Sequence, residues 1–246
     1  MSWLSEIINK IFGSTTEPVA PPAPAPVPVA PVEPPKPIPV VKPEPAPAIG
    51  KKKVPSRDEV NALVKGFVDG TIPTRVGPYK NIKETKGKNR SPAIDQINTA
   101  QGATLGDPYC QAGMQEVLSE KCRYYGVDRK SVNIPRGPGT QDVWAQTPIK
   151  YKLKYPEIST WINWRHGHTG NGHTGEVVAI PPHSSNFTTM EFNTSAAGQK
   201  VERDGEGFYF GLTRNIKGDG DMIINGYIDV YQALVDAMLA SGKWEA

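Results

Sequence analysis

Cysteine is scarce in this 246-residue chain: only Cys110 and Cys122 are present, and two residues cannot build a disulfide framework. Placed on one helix they stand about 18 Å apart along its axis, too far to bond, so both are expected as free thiols. That suits a reducing compartment or a chemistry that uses a thiolate. No apolar run approaches the roughly 20 residues that cross a bilayer. The first residues also lack the basic start and continuous apolar core of a secretory signal, so ordinary Sec export is not expected. An excess of one charge is missing too, since 28 Lys and Arg against 25 Asp and Glu leave a net charge of +3. Basic residues cluster only at Lys51 to Lys53 and from Lys80 to Arg90. This is no footprint for nucleic acid; a mildly basic face would suit an anionic polymer such as a bacterial wall, but solvated loops are the better explanation of the same charges.

Proline, in contrast, is abundant, and more than half of the 25 prolines lie between Pro18 and Pro47. That stretch alternates Pro with Ala, Val, Glu and Lys, so it can neither complete helix hydrogen bonds nor bury large apolar side chains. It reads as a disordered linker over residues 14–55, reaching about 100 Å if extended as polyproline II. Before it, residues 1–13 place Trp3, Leu4, Ile7, Ile8, Ile11 and Phe12 at helical spacing, with Gly13 as a stop. Such a short amphipathic helix is marginal alone and needs a membrane surface, a partner protein or its own domain to cover it.

Residues 56–246 then read as one domain, about 190 residues that bury roughly 70% of their unfolded surface. Ser56-Arg-Asp-Glu59 marks a helix start, followed by Val60, Leu63, Val64, Phe67 and Val68 at helical spacing. A short helix is expected around Ile94 to Thr99. A longer one runs from Tyr109 to about Tyr124, with Pro108 suited to its first turn and Gly126 to its end. Strands are expected at Ile158–Trp164, Gly175–Ile180, Phe187–Phe192, Phe208–Leu212 and Ile223–Val230, and a last helix at about Tyr231 to Leu239. Helices first and closely spaced strands afterwards imply an α+β domain with an antiparallel sheet.

Cys110 opens a helix, where unpaired backbone N–H groups and the helix dipole favour a thiolate and can serve an oxyanion. Cys122, three turns on, lacks those advantages and reads as core. Three of the four histidines fall in His166-Gly-His168-Thr-Gly-Asn-Gly-His173. Gly172 and Gly175 flank His173 at the mouth of a strand, leaving room for another backbone or a substrate. The next strand offers Glu191-Phe-Asn193, whose polar side chains share a face by strand alternation and can orient the imidazole. Gln101 and Gln111 are both open as oxyanion partners. A zinc reading of His166, His168 and His173 competes, without a compact carboxylate motif to support it. Trp161 and Trp164 are candidates to stack on sugar rings, or else strand core.

The segments Asp107-Pro-Tyr-Cys110-Gln-Ala, Trp164-Arg-His-Gly with Gly172-His173-Thr-Gly-Glu-Val-Val, and Thr188-Thr-Met-Glu191-Phe-Asn193-Thr carry a resemblance. Over about Pro92 to Val230 the chain resembles the CHAP family, the cysteine- and histidine-dependent amidohydrolases/peptidases of bacteriophage endolysins and bacterial wall-remodelling enzymes. The resemblance implies a papain-like, NlpC/P60-like fold, with N-terminal helices packed on an antiparallel sheet. It implies Cys110 as nucleophile, His173 as base, and Glu191 and Asn193 on the following strand. Two departures stand out. Phe192 occupies a position that is usually glycine in the family, which is expected to alter the strand there. Only Gly106-Asp107 remains of the family's calcium loop, so neither a calcium site nor any other cofactor is expected.

The function so implied is a peptidoglycan hydrolase, an N-acetylmuramoyl-L-alanine amidase or an endopeptidase, acting in host cell lysis. It would wait in the host cytoplasm until release to the cell wall. A virion-carried wall-penetrating hydrolase and an inactive wall-binding or structural module are the alternatives. Which amide bond is cut stays open at this level.

Overall fold

Each major helix starts and stops where the local chemistry asks it to. The computed structural model describes residues 50–195 and 205–246. The amphipathic segment 1–13 and almost all of the Pro-rich stretch 14–55 therefore lie outside the described residues. Helix α1 (Arg57–Asp69) opens with a capping box, in which the Ser56 side chain accepts from the Glu59 N–H and Glu59 accepts from the Ser56 N–H, and it ends on Gly70 in the left-handed conformation. Helix α2 (Pro92–Gln101) is capped by Ser91 with Pro92 in its first turn. Helix α3 (Cys110–Tyr125) ends on a left-handed Gly126, but its N-cap, Tyr109, makes no side-chain cap bond. Pro108 thus precedes the N-cap instead of occupying the first turn. A short helix α4 (Thr140–Gln146), not anticipated from the sequence, follows, and α5 (Val230–Ala240) closes the series with Asp229 accepting from the Gln232 N–H.

Among the described residues, eight strands form two sheets. Six of them, β2 (Lys152–Leu153), β3 (Trp161–His166), β4 (Gly172–Ala179), β5 (Asn186–Thr194), β6 (Gly207–Asn215) and β7 (Met222–Ile228), make an antiparallel sheet in the order β2-β7-β3-β4-β5-β6. The fold is therefore α+β, as expected. The other two, β1 (Lys52–Lys53) and β8 (Trp244–Glu245), pair in parallel. This corrects the expected linker boundary: the folded unit already includes Lys52, ahead of Ser56. No helix among the described residues is long and apolar enough to cross a membrane.

The main core lies between the helices and the sheet. Phe67 of α1, Ile94 and Ile97 of α2, Met114 and Val117 of α3, and Met190 and Phe192 of β5 all belong to it. A second cluster is formed by Ile162, Trp164, Val177, Phe187, Met222 and Tyr227. Strand alternation divides β5 between the two, since Met190 and Phe192 join the first and Phe187 the second.

Phe192 has a visible accommodation. Its fully buried ring packs edge-on against Tyr79, Tyr109 and Phe208, where α3 passes over β5 at Gly113. A Cβ at position 113 would fall 2.3 Å from Phe192 Cγ, so the bulk missing from the helix is supplied by the strand. The strand is irregular beyond Phe192. The β5–β6 register shifts between Glu191 and Thr194, and Asn193 takes a left-handed φ of 56°, which interrupts the alternation that would put it on the face of Glu191.

Candidate active site

Helix α3 packs against β4 and β5, and this brings Cys110 at the helix start to His173 near the start of β4. Because Tyr109 supplies no cap, the first-turn amides of α3 are left for other acceptors. The backbone N–H of Gln111 serves the Cys110 sulfur. The Thr140 hydroxyl, at the start of α4, stands 3.7 Å from the same sulfur. Cys110 is only 3% exposed, yet it lines a cleft of about 270 Å³ together with Asp107, Pro108, Pro138, Gly139, Thr140 and the Gly170–Gly172 turn.

His173 is fully buried, and its Nε2 lies 2.8 Å from Glu191 Oε2. The imidazole ring rests on Trp164, with centroids 5.6 Å apart. With Nε2 committed to the carboxylate, Nδ1, buried and without a hydrogen-bond partner, is the ring nitrogen left for the thiol. Glu191 is in turn held from several sides. Arg214 on β6 donates from Nε to Oε1 and from a terminal nitrogen to Oε2, both at 2.7 Å, and the Thr189 hydroxyl donates to Oε1 at 2.5 Å. The carboxylate crosses β4 at Gly175, where a Cβ would lie 2.5 Å from Glu191 Cγ. The room anticipated beside His173 is thus taken by its acid partner.

The electrostatics follow from this geometry. Burial opposes every charge here, but the opposite charges and hydrogen bonds outweigh it. Burial would raise the Cys110 thiol, yet hydrogen bonding and charge from His173, with Thr140 and the Gln111 N–H, bring it below the ordinary thiol value. Burial would lower the imidazole, yet hydrogen bonds and charge from Cys110 and Glu191 raise it to about 9. Glu191, against its own desolvation, is pulled down to about 2 by His173 and Arg214. Four groups in sequence, Arg214, Glu191, His173 and Cys110, therefore support one another electrostatically, and the arrangement favours a thiolate beside an imidazolium. Cys122 is the contrast: buried on α3 without such partners, it is pushed up to about 11 by desolvation.

Other expectations are corrected. Trp161 and Trp164 are 0% and 1% exposed, so they offer no face for a sugar ring. Trp161 instead donates its indole N–H to Glu176, whose carboxylate also pairs with the buried Lys121 of α3 at 2.5 Å, and Trp164 is the surface on which the imidazole packs. Gln101 is buried beside Glu116, which its side chain hydrogen-bonds; the Gln111 side chain is also buried, and its contribution to the thiolate is its backbone N–H. Glu191 is the residue placed on the imidazole, while Asn193 is fully buried at the register shift. The three histidines do not converge: His166 Nε2 pairs with Asp221 Oδ2 at 2.8 Å and His173 with Glu191. No group of three His, Cys, Asp or Glu side chains suited to a metal forms among the described residues.

Arg214 and Thr140 were not singled out from the sequence. Arg214 follows Glu191 by 23 residues, and only the β5–β6 pairing, which sets Arg214 opposite Phe187, brings it within reach. Comparison with protein-family models, curated proteins and solved structures finds no match to this chain.

Proposed function

We propose that the protein is a thiol-dependent peptidoglycan hydrolase that cuts an amide bond in the peptide part of the wall through an acyl-enzyme. The observation that carries the chemistry is the buried Arg214–Glu191–His173 series ending on Cys110 at the wall of a cleft. The thiolate attacks the amide carbonyl, and the imidazolium gives its proton to the leaving amine. Neutral His173 then takes a proton from water, which hydrolyses the thioester and frees the carboxylate product. Throughout, Glu191 fixes the ring orientation and stabilises the imidazolium, the role of the acid in hydrolase triads. The order of elements, a cysteine at a helix start followed by histidine and acid on successive strands, supports the finer reading of the fold as papain-like. The wall substrate rests on the CHAP resemblance, as do the lysis setting, storage in the host cytoplasm and the virion alternative.

The test is mass spectrometry of fragments released from purified sacculi. New amino termini from stem peptides or cross-bridges would mark an endopeptidase, and intact sugars with freed peptides an amidase. Fragments carrying only cleaved glycosidic bonds would refute the reading.

A further inference from the structure

The thiolate reading needs a donor for the oxyanion that forms on the attacked carbonyl, and neither glutamine side chain lines the cleft beside Cys110. We propose that Thr140 is a catalytic residue of this site, its hydroxyl forming the side-chain half of the oxyanion hole opposite the backbone amides of the α3 first turn. The proposal rests on the thiol chemistry above but not on the identity of the wall substrate.

Three observations support it. Thr140 Oγ1 lies 3.7 Å from Cys110 Sγ, near enough to the sulfur to reach an oxygen on the carbon that sulfur has attacked. Thr140 also lines the same cleft as Cys110, where the other side chains are Asp107, Pro108, Pro138 and Asn171. Asp107 repels an oxyanion and its Oδ2 already accepts from the Thr104 N–H; the prolines have no donor, and Asn171 sits exposed on the Gly170–Gly172 turn instead of beside the sulfur on a fixed backbone. Third, the backbone beside the hydroxyl is fixed by a chain of amides. Asn163 donates from Nδ2 to the Thr140 carbonyl at 3.1 Å. Asn225 donates to both Asn163 Oδ1 and Gln141 Oε1 at 2.8 Å, and Gln141 donates to the Trp164 carbonyl at 2.8 Å. A donor held this way costs little reorganisation when charge develops, which is what an oxyanion hole requires.

In the step itself the Cys110 sulfur forms a C–S bond to the carbonyl carbon, and the C=O π pair moves to oxygen, where the Thr140 O–H and an α3 amide donate to it. The pair returns as the leaving group departs with its bonding electrons, and the thioester remains.

Two small reagents separate this role from simple support of the thiolate. Iodoacetamide alkylates the thiolate by displacement of iodide, with no oxyanion, whereas p-nitrophenyl acetate acylates it through a tetrahedral oxyanion and releases p-nitrophenolate. In a Cys122→Ala background, Thr140→Val is expected to slow the p-nitrophenolate burst by about 10²-fold, the usual effect of losing one oxyanion donor. Its alkylation rate should change by far less, and Thr140→Ser should recover most of the lost acylation. Thr140→Ala, smaller than valine, checks that the loss is not steric. Equal losses in both reactions would mean that the hydroxyl serves only the thiolate and would overturn the proposal, as would no loss in either. Normal acylation without release of wall fragments would sink the proposed substrate and leave the Thr140 assignment standing.

Discussion

Cys110→Ala is expected to abolish wall hydrolysis, with a loss on the order of 10⁶-fold, as when the nucleophile of a hydrolytic triad is removed. Cys110→Ser should be nearly as inactive. The site lowers the Cys110 thiol beside a raised imidazole, and a serine hydroxyl, far less acidic, stays protonated there, so the ion pair does not form. Cys122→Ala should retain most of the activity because that thiol is buried on α3 with its proton held by desolvation. Turbidity loss of purified walls measures all three variants. Activity surviving in Cys110→Ala would remove the nucleophile from the account.

Arg214→Met is the second change with a large expected effect, because it strips the bidentate partner from a fully buried carboxylate. Breaking a buried pair on one side costs roughly 3–5 kcal/mol, mostly from the uncompensated charge that remains. Adding Glu191→Gln should restore much of that stability while leaving catalysis impaired, since the imidazolium then loses its carboxylate partner at Nε2. The pH behaviour follows by linkage. Glu191, lowered to about 2 from its ordinary 4.5, contributes stability that is complete above about 4.5 and is lost as pH falls towards 2. His173, raised to about 9 from 6.5, contributes stability that is complete below about 6.5 and is lost as pH rises through 9. In Arg214→Met the acidic loss should begin at higher pH, and the acid limb of Cys110 alkylation should move the same way. Thermal unfolding across pH, with alkylation rates beside it, reads both. An unshifted acid edge in both measurements would show that Arg214 does not set the charge state of the site.

The parts of this site legible from the chain were those encoded by neighbours in sequence. A cysteine after Asp-Pro-Tyr at a helix start, a histidine between glycines before a Val-rich run, and an acid on the next strand all follow from local pattern, and the structure brings Cys110, His173 and Glu191 together. The strands were found for the same reason, though their ends moved by a few residues because bulges and pairing partners, not composition, decide where a ladder stops. Trp161 and Trp164 could not be sorted from a strand buried on both faces, where core and ligand-stacking aromatics look alike. Arg214 and Thr140 depend on contacts across 23 and 30 residues, which periodicity does not carry. The exchange of bulk between Gly113 and Phe192 is likewise a property of one crossing between a helix and a strand, invisible until the two are packed.

The most direct test of the central claim is to catch the covalent intermediate. Full-length protein mixed with soluble wall peptide fragments and quenched in acid within the first turnovers should show, by intact mass, one added acyl group, and peptide mapping should place it on Cys110. The adduct should disappear when turnover is allowed to finish, and should be absent from Cys110→Ala. Steady release of cleaved peptide with no adduct on Cys110 at any quench time, and with unchanged rate after Cys110 is alkylated, would contradict the account.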